Sequence, residues 1–129
     1  MAEPAWVTRA EAVSLQVVAI RQFGGKVGVR DGGLLDSAMG RARNKWAYEN
    51  AGLAECAAAY AYGIAMNHPF HDGNKRTAIS VAVAFLAFNR LGLTASPEAT
   101  AETMLAVAMG SMREDALAAW FAANTRPMR

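Results

Sequence analysis

A chain of 129 residues with 53% hydrophobic side chains and only four prolines has the length and apolar content for one packed domain, and little room for a second module. That balance excludes a disordered chain, and a formal net charge of +2 is too small to mark a nucleic-acid binder without base-reading aromatics beside its basic residues. The abundance of Ala, Leu, Val and Met favours helices over a β-sandwich, so the expected fold is all-α: a compact single-domain bundle of about six helices over residues 1–129, around a buried central helix.

The first helix is announced by Thr8 and Glu11, a capping-box spacing. Ala12, Leu15, Ala19 and Phe23 recur on one side of it, and Gly24 and Gly25 stop it. After the glycine-containing stretch VGVRDGG, a second helix is predicted from Asp31 to Trp46, with Leu34, Leu35, Ala38 and Ala42 as its apolar stripe. A third runs from about Leu53 to Asn67. The fourth extends from Asn74 to about Leu91, with Gly92 placed to end it, and is apolar almost all round between Ala78 and Phe88. Such a helix is surrounded by others, which makes it the predicted centre of the bundle. Ser96 followed by Pro97 opens a fifth helix that stops near Gly110. Ser111 and Glu114 repeat the capping-box spacing and open a sixth, whose apolar side carries Leu117, Trp120 and Phe121.

Arg41, Arg43 and Lys45 form the densest basic cluster, which reads as a solvated helix face; no direct contact with nucleic acid is expected. Cys56 stands alone, so no disulfide can form within the chain, and a small buried hydrophobe is its expected role. The N-terminal MAEPAWVTRAE lacks an apolar signal-like region, and the longest apolar stretch is interrupted by Ser80 and too short for a membrane span. A cytoplasmic protein with no membrane partner is the expectation.

Both histidines fall in the eleven residues 68–78, HPFHDGNKRTA. Pro69, Asp72 and Gly73 read as a loop and the apolar run after Thr77 as a helix, which places Asn74, Lys75 and Arg76 at a helix N-terminus. Backbone N–H groups there lack intrahelical partners and the helix dipole is positive, so an anion is expected. His68 is the candidate general base, because imidazole titrates near neutral pH. Asp72 offers the carboxylate oxygen that Mg²⁺ prefers, although capping the helix is an equally ordinary role for it. Lys75 and Arg76 would supply charge to phosphate oxygens, the Asn74 amide would cap the helix and orient phosphate, and Gly73 would let backbone approach a ligand closely. Phe70 is expected to turn inward and anchor the loop. Each of these residues alone is more often structural or solvated; their convergence at one helix start is what points to phosphoryl chemistry. Zinc is disfavoured, because His68, His71 and Asp72 crowd one loop without the spacing of a zinc site.

The same residues resemble the signature of the Fic/Doc superfamily, in which HxFx(D/E)xN and a following basic residue open the central helix of a small all-α fold. The stretch VRDGGLLDSAMGRARNKWAYE is also similar to Doc-type (death-on-curing) chains. Fic proteins carry GNGR and a second arginine three residues on, and transfer AMP from ATP to a hydroxyl. This chain reads GNKR, with Lys75 at the second glycine's place and Ile79 at the second arginine's. That spelling is similar to Doc toxins, kinases that phosphorylate a threonine of elongation factor Tu and arrest translation. The resemblance implies ATP as substrate and Mg²⁺ held by Asp72. It implies His68 as the base, and phosphates held by Gly73 backbone, Asn74, Lys75 and Arg76. It also implies a Phd-type antitoxin as partner. The self-inhibitory Fic pattern is not met, since Thr94 and Glu98 have its spacing but Ala99 follows. Two other readings stay open: a Fic-type AMP transferase, and a non-catalytic module in which the loop merely captures an anion or a carboxylate. The second explains neither a base nor a nearby carboxylate.

Overall fold

The computed structural model describes residues 2–128. Six helices and two short strands follow in the order α1 (Arg9–Phe23), α2 (Gly32–Glu49), α3 (Leu53–Asn67), α4 (Asn74–Phe88), β1 (Leu91–Leu93), α5 (Pro97–Ala108), α6 (Glu114–Ala123) and β2 (Thr125–Pro127). The all-α expectation is met.

Local caps start α1, α2 and α5 where the sequence placed them. Thr8 Oγ1 accepts the Glu11 N–H at 3.1 Å while the Glu11 carboxylate accepts the Thr8 N–H at 2.8 Å, the reciprocal box that satisfies two orphan donors of α1. Asp31 accepts the Leu34 N–H at 2.9 Å to open α2, and Ser96 accepts the Ala99 N–H at 3.1 Å ahead of Pro97 to open α5. The buried stripe of α1 is Ala12, Gln16, Ala19 and Ile20, so it is turned away from the predicted one: Leu15 is half-buried and Phe23 is 57% exposed.

The buried centre is α3 rather than α4. It packs against α2, α4, α5 and α6, and its buried side chains are mostly alanines, with Tyr60 and Ile64. Small side chains let neighbouring helices close in: a Cβ at Gly63 would stand 2.9 Å from Arg41 Cδ and 3.3 Å from the Ala38 backbone of α2. α4 encloses Val81, Phe85 and Leu86 but comes to the surface at its end, where Phe88 is 45% exposed.

α4 ends at Phe88, short of the predicted Leu91. Asn89 terminates it, with Nδ2 donating to the carbonyls of Phe85 at 2.8 Å and Ala5 at 2.9 Å and Oδ1 accepting the Ala5 N–H at 2.9 Å. Gly92 then lies in β1, which pairs antiparallel with β2 (Leu91 opposite Pro127, Gly92 opposite Arg126), so it ends no helix. Ser111 likewise caps nothing ahead of it: its hydroxyl donates back to the Ala106 carbonyl at 3.1 Å, closing α5, and α6 begins after Arg113 without a side-chain cap.

Glu114 faces another way. Its carboxylate pairs with the Arg41 guanidinium and stands 2.8 Å from Lys45 Nζ, while Arg43 lies over the Trp6 ring at 5.5 Å. The basic cluster on α2 is therefore not a solvated face, because it ties α6 and the N-terminal segment to the bundle. Trp6 stacks on Phe85 at 5.7 Å, and the Tyr60 hydroxyl accepts the Val7 N–H at 3.1 Å. Cys56 is fully buried, as expected, and burial pushes its thiol up to about 11. No helix among the described residues is long and apolar enough to cross a membrane.

Candidate active site

His68 ends α3. Its backbone is left-handed (φ 49°, ψ 54°), its N–H donates to Ile64 O at 3.2 Å, and its carbonyl accepts Arg30 Nε at 2.9 Å and Nη2 at 2.6 Å. A non-glycine residue holds that conformation only where its surroundings over-determine it, and here a buried helix on one side and a guanidinium fork on the other do so. The imidazole itself is exposed and has no hydrogen-bond partner among the described residues.

The following loop is laced to the segment between α1 and α2. Pro69 O accepts the N–H groups of Arg30 at 2.7 Å and Asp31 at 3.1 Å, Phe70 forms an antiparallel bridge with Val29, and the His71 N–H donates to Gly28 O at 3.1 Å. Phe70 is 1% exposed and anchors the loop in the core, as its place in the sequence suggested.

Asp72 does not cap α4. Its Oδ2 accepts the Lys26 N–H at 2.6 Å, and Gly73 takes the cap position in left-handed geometry (φ 73°). A Cβ at Gly73 would also press to 3.2 Å from Ile20 Cδ1, so both backbone and packing favour glycine there. Asn74 is nearly buried, and its amide is engaged on both sides: Oδ1 accepts the Phe70 N–H and Nδ2 donates to Phe70 O, each at 3.0 Å. It shapes the loop. Of the two roles expected for that amide, neither capping nor phosphate orientation is free to it in this arrangement, and what Asn74 offers an anion is its backbone N–H.

The first backbone bond of α4 runs from Thr77 N–H to Gly73 O at 2.9 Å. The N–H groups of Asn74, Lys75 and Arg76 thus lack intrahelical acceptors and sit at the positive end of the dipole. Lys75 and Arg76 are exposed beside them. Lys75 Nζ has no carboxylate partner among the described residues, and the Arg76 guanidinium lies 3.2 Å over the ring of Phe23 at the end of α1.

These groups form one side of a cavity of about 640 Å³, a volume that suits a nucleotide-sized ligand. Every residue singled out in the motif for chemistry (His68, Asp72, Gly73, Asn74, Lys75, Arg76) lines it. The facing wall is more apolar, with Ile79 of α4, Ala95, and Pro97, Thr100, Ala101 and Met104 of α5. Sequence reasoning found Ile79 but missed the rest of that wall, and it missed Arg30, Phe23 and Gln16. Only Gln16 left a signal, a polar residue on the apolar stripe between Ala12 and Ile20.

A family model described as the Fic/DOC family matches residues 6–86, which span α1 to α4 and the whole loop. The chain belongs to the Fic/DOC family. A curated relative, "Protein kinase doc" of Escherichia phage P1, is 37% identical over 89 residues, covering 68% of this chain and 71% of that protein. "Toxin Doc" of Mycolicibacterium smegmatis is 44% identical over 77 residues, 57% of this chain and 58% of that protein. The chain therefore spans less than two thirds of the second relative, and α5, which supplies the apolar wall, lies beyond the family match.

Proposed function

We propose that this protein is a Doc-type toxin of a type II toxin–antitoxin module. In this reading it is a cytoplasmic protein kinase, residues 1–129 acting as one domain, that transfers the γ-phosphate of ATP to a threonine hydroxyl of elongation factor Tu and so blocks translation. The observation that carries the kinase reading is the start of α4, where Lys75 projects from the phosphate-facing turn and Ile79 lines the cavity. A lysine there fills the space that glycine leaves for an α-phosphate in AMP-transferring relatives, and an isoleucine cannot supply the second arginine's charge. The relatives' names, a kinase and a toxin, support the same reading.

In this mechanism His68 accepts the threonine proton as the hydroxyl oxygen attacks the γ-phosphorus. The new O–P bond forms as the bond to the β-phosphate oxygen breaks, and ADP leaves. The free N–H groups of Asn74, Lys75 and Arg76 and the two cationic side chains hold the phosphate oxygens whose charge shifts during transfer. Asp72 has one carboxylate oxygen on Lys26 and the other unengaged, and among the described residues no three of His, Cys, Asp and Glu gather as a metal cage. A single available carboxylate suits Mg²⁺: Asp72 would hold the ion, and it would supply positive charge to the transferring phosphates. Restraint of such an enzyme falls to a Phd-type antitoxin, since Ala99 breaks the internal inhibitory pattern.

The test is isotopic. Incubated with elongation factor Tu and Mg²⁺, the protein should transfer label from γ-labelled ATP and none from α-labelled ATP, and Lys75→Gly should lower the γ-transfer. Transfer of α-label by the unaltered protein would replace the kinase by an AMP transferase.

A further inference from the structure

We infer that Gln16 is a positioning residue for the site, holding the carboxylate of Asp72 in register with the backbone that binds it. The inference rests on the reading of Asp72 as the metal-facing acid.

Gln16 sits in the middle of α1 and is fully buried, between Ala12, Ala19 and Ile20. A leucine would fit that stripe without polar cost, and a buried amide is tolerated only when it is bonded. One of its bonds runs to the site and two run to the segment that binds Asp72. Nε2 donates to Asp72 O at 3.1 Å and to Lys26 O at 3.2 Å, and Oε1 accepts the Gly28 N–H at 3.1 Å. Lys26 in turn donates its N–H to Asp72 Oδ2, so Gln16, Lys26 and Asp72 close a ring of hydrogen bonds across two loops.

Packing leaves that ring little slack. Gly25 (φ 114°) comes so near that a Cβ on it would stand 2.9 Å from Asp72 Cβ. Asp72 itself is exposed and lies outside any helix, so among the described residues the Lys26 N–H and the close approach of Gly25 are what fix its side chain. One amide thereby sets both the height of the Lys26 N–H and the backbone of the residue that receives it. Partners behind a metal-binding carboxylate commonly change metal affinity about 10- to 100-fold when removed.

Gln16→Met keeps the volume and removes all three bonds; Gln16→Glu is a second variant that keeps the acceptor and loses the donor. Two readouts decide, neither needing catalysis. Amide hydrogen exchange should quicken at Lys26 and Gly28 while amides of α3 stay protected, and Mn²⁺ binding in the presence of ATP, followed by electron paramagnetic resonance, should weaken about 10-fold. Asp72→Asn serves as the reference for lost binding. Unchanged exchange at Lys26 and Gly28, or unchanged Mn²⁺ binding, in folded Gln16→Met would overturn the inference, as would unchanged exchange at Lys26 in folded Gln16→Glu, which keeps the acceptor for Gly28. If the unaltered protein shows no Asp72-dependent Mn²⁺ binding, the metal-facing reading fails and takes the inference with it. A failure of phosphate transfer alone, measured alongside, counts only against the kinase reading.

Discussion

Two groups of basic residues, Arg41, Arg43 and Lys45 on α2 and Lys75 and Arg76 at the start of α4, look alike in the sequence and differ in what the fold asks of them. On α2 two of the cations converge on Glu114 and the third covers Trp6, so all three are engaged by partners within the bundle. At the start of α4 the nearest carboxylate, Asp72, is turned to a backbone N–H, Arg76 rests on an aromatic face, and three helix N–H groups add to the positive field. A cation with a carboxylate partner is part of the scaffold; a cation left without one at a helix N-terminus is available to an anion. Net charge would have missed the distinction, because the two groups contribute to it alike.

The largest expected effect lies at the α4 end. His68→Ala should lower phosphate transfer by about 10²- to 10⁴-fold, since it removes the proposed general base, and should leave thermal unfolding nearly unchanged because the imidazole is exposed. A large loss of stability would instead make His68 a structural cap.

Paired substitutions sharpen the comparison. Lys75→Met should cost transfer about 10- to 100-fold, the equivalent of one charge-assisted hydrogen bond, with no change in stability. Glu114→Gln should do the reverse: it weakens both ion pairs at a carboxylate that is only 15% exposed, destabilises by about 1–2 kcal/mol in denaturant titration, and leaves transfer intact. If either substitution moved both quantities equally, the two ends would not be separable.

A smaller effect concerns pH. Burial raises Cys56 from 9.0 to about 11 and Tyr60 from 10.0 to about 12. Both groups bind their protons more tightly folded than unfolded, so stability is complete below about pH 9 and declines as pH rises toward 12. Thermal melts across that range check it, and Tyr60→Phe should flatten the upper part of the decline.

What the sequence made legible was local. Thr8 with Glu11, Asp31, and Ser96 with Pro97 act within one turn of their helices, and the loop 68–78 carries its own glycine, proline and helix-start signals. Those elements form as read. The misreadings came from partners distant in the chain. Asn89 ends α4 because it meets Ala5, and Gly92 joins a strand because residues 125–127 lie beside it; Ser111 is a local exception, turning back to Ala106 five residues earlier. The centre of the bundle was misplaced because hydrophobicity was weighed without size: alanines in α3 mark close approach of several helices, while α4, apolar as it is, leaves Ala87 and Phe88 exposed at its end. In the site, the motif named the residues that line the cavity but not the amide bonding of Asn74 to Phe70, nor the support from Gln16, which depends on three segments meeting.

The buried state of Cys56 has a practical consequence. With its sulfur enclosed against Ala42 and its proton held into strongly alkaline solution, the chain presents no thiolate to alkylating reagents under ordinary conditions. A cysteine introduced at the exposed Lys26 would then be the one attachment point for a spin label or dye, and motion of the segment beside Asp72 could be followed in real time without first stripping the native sulfur from the core.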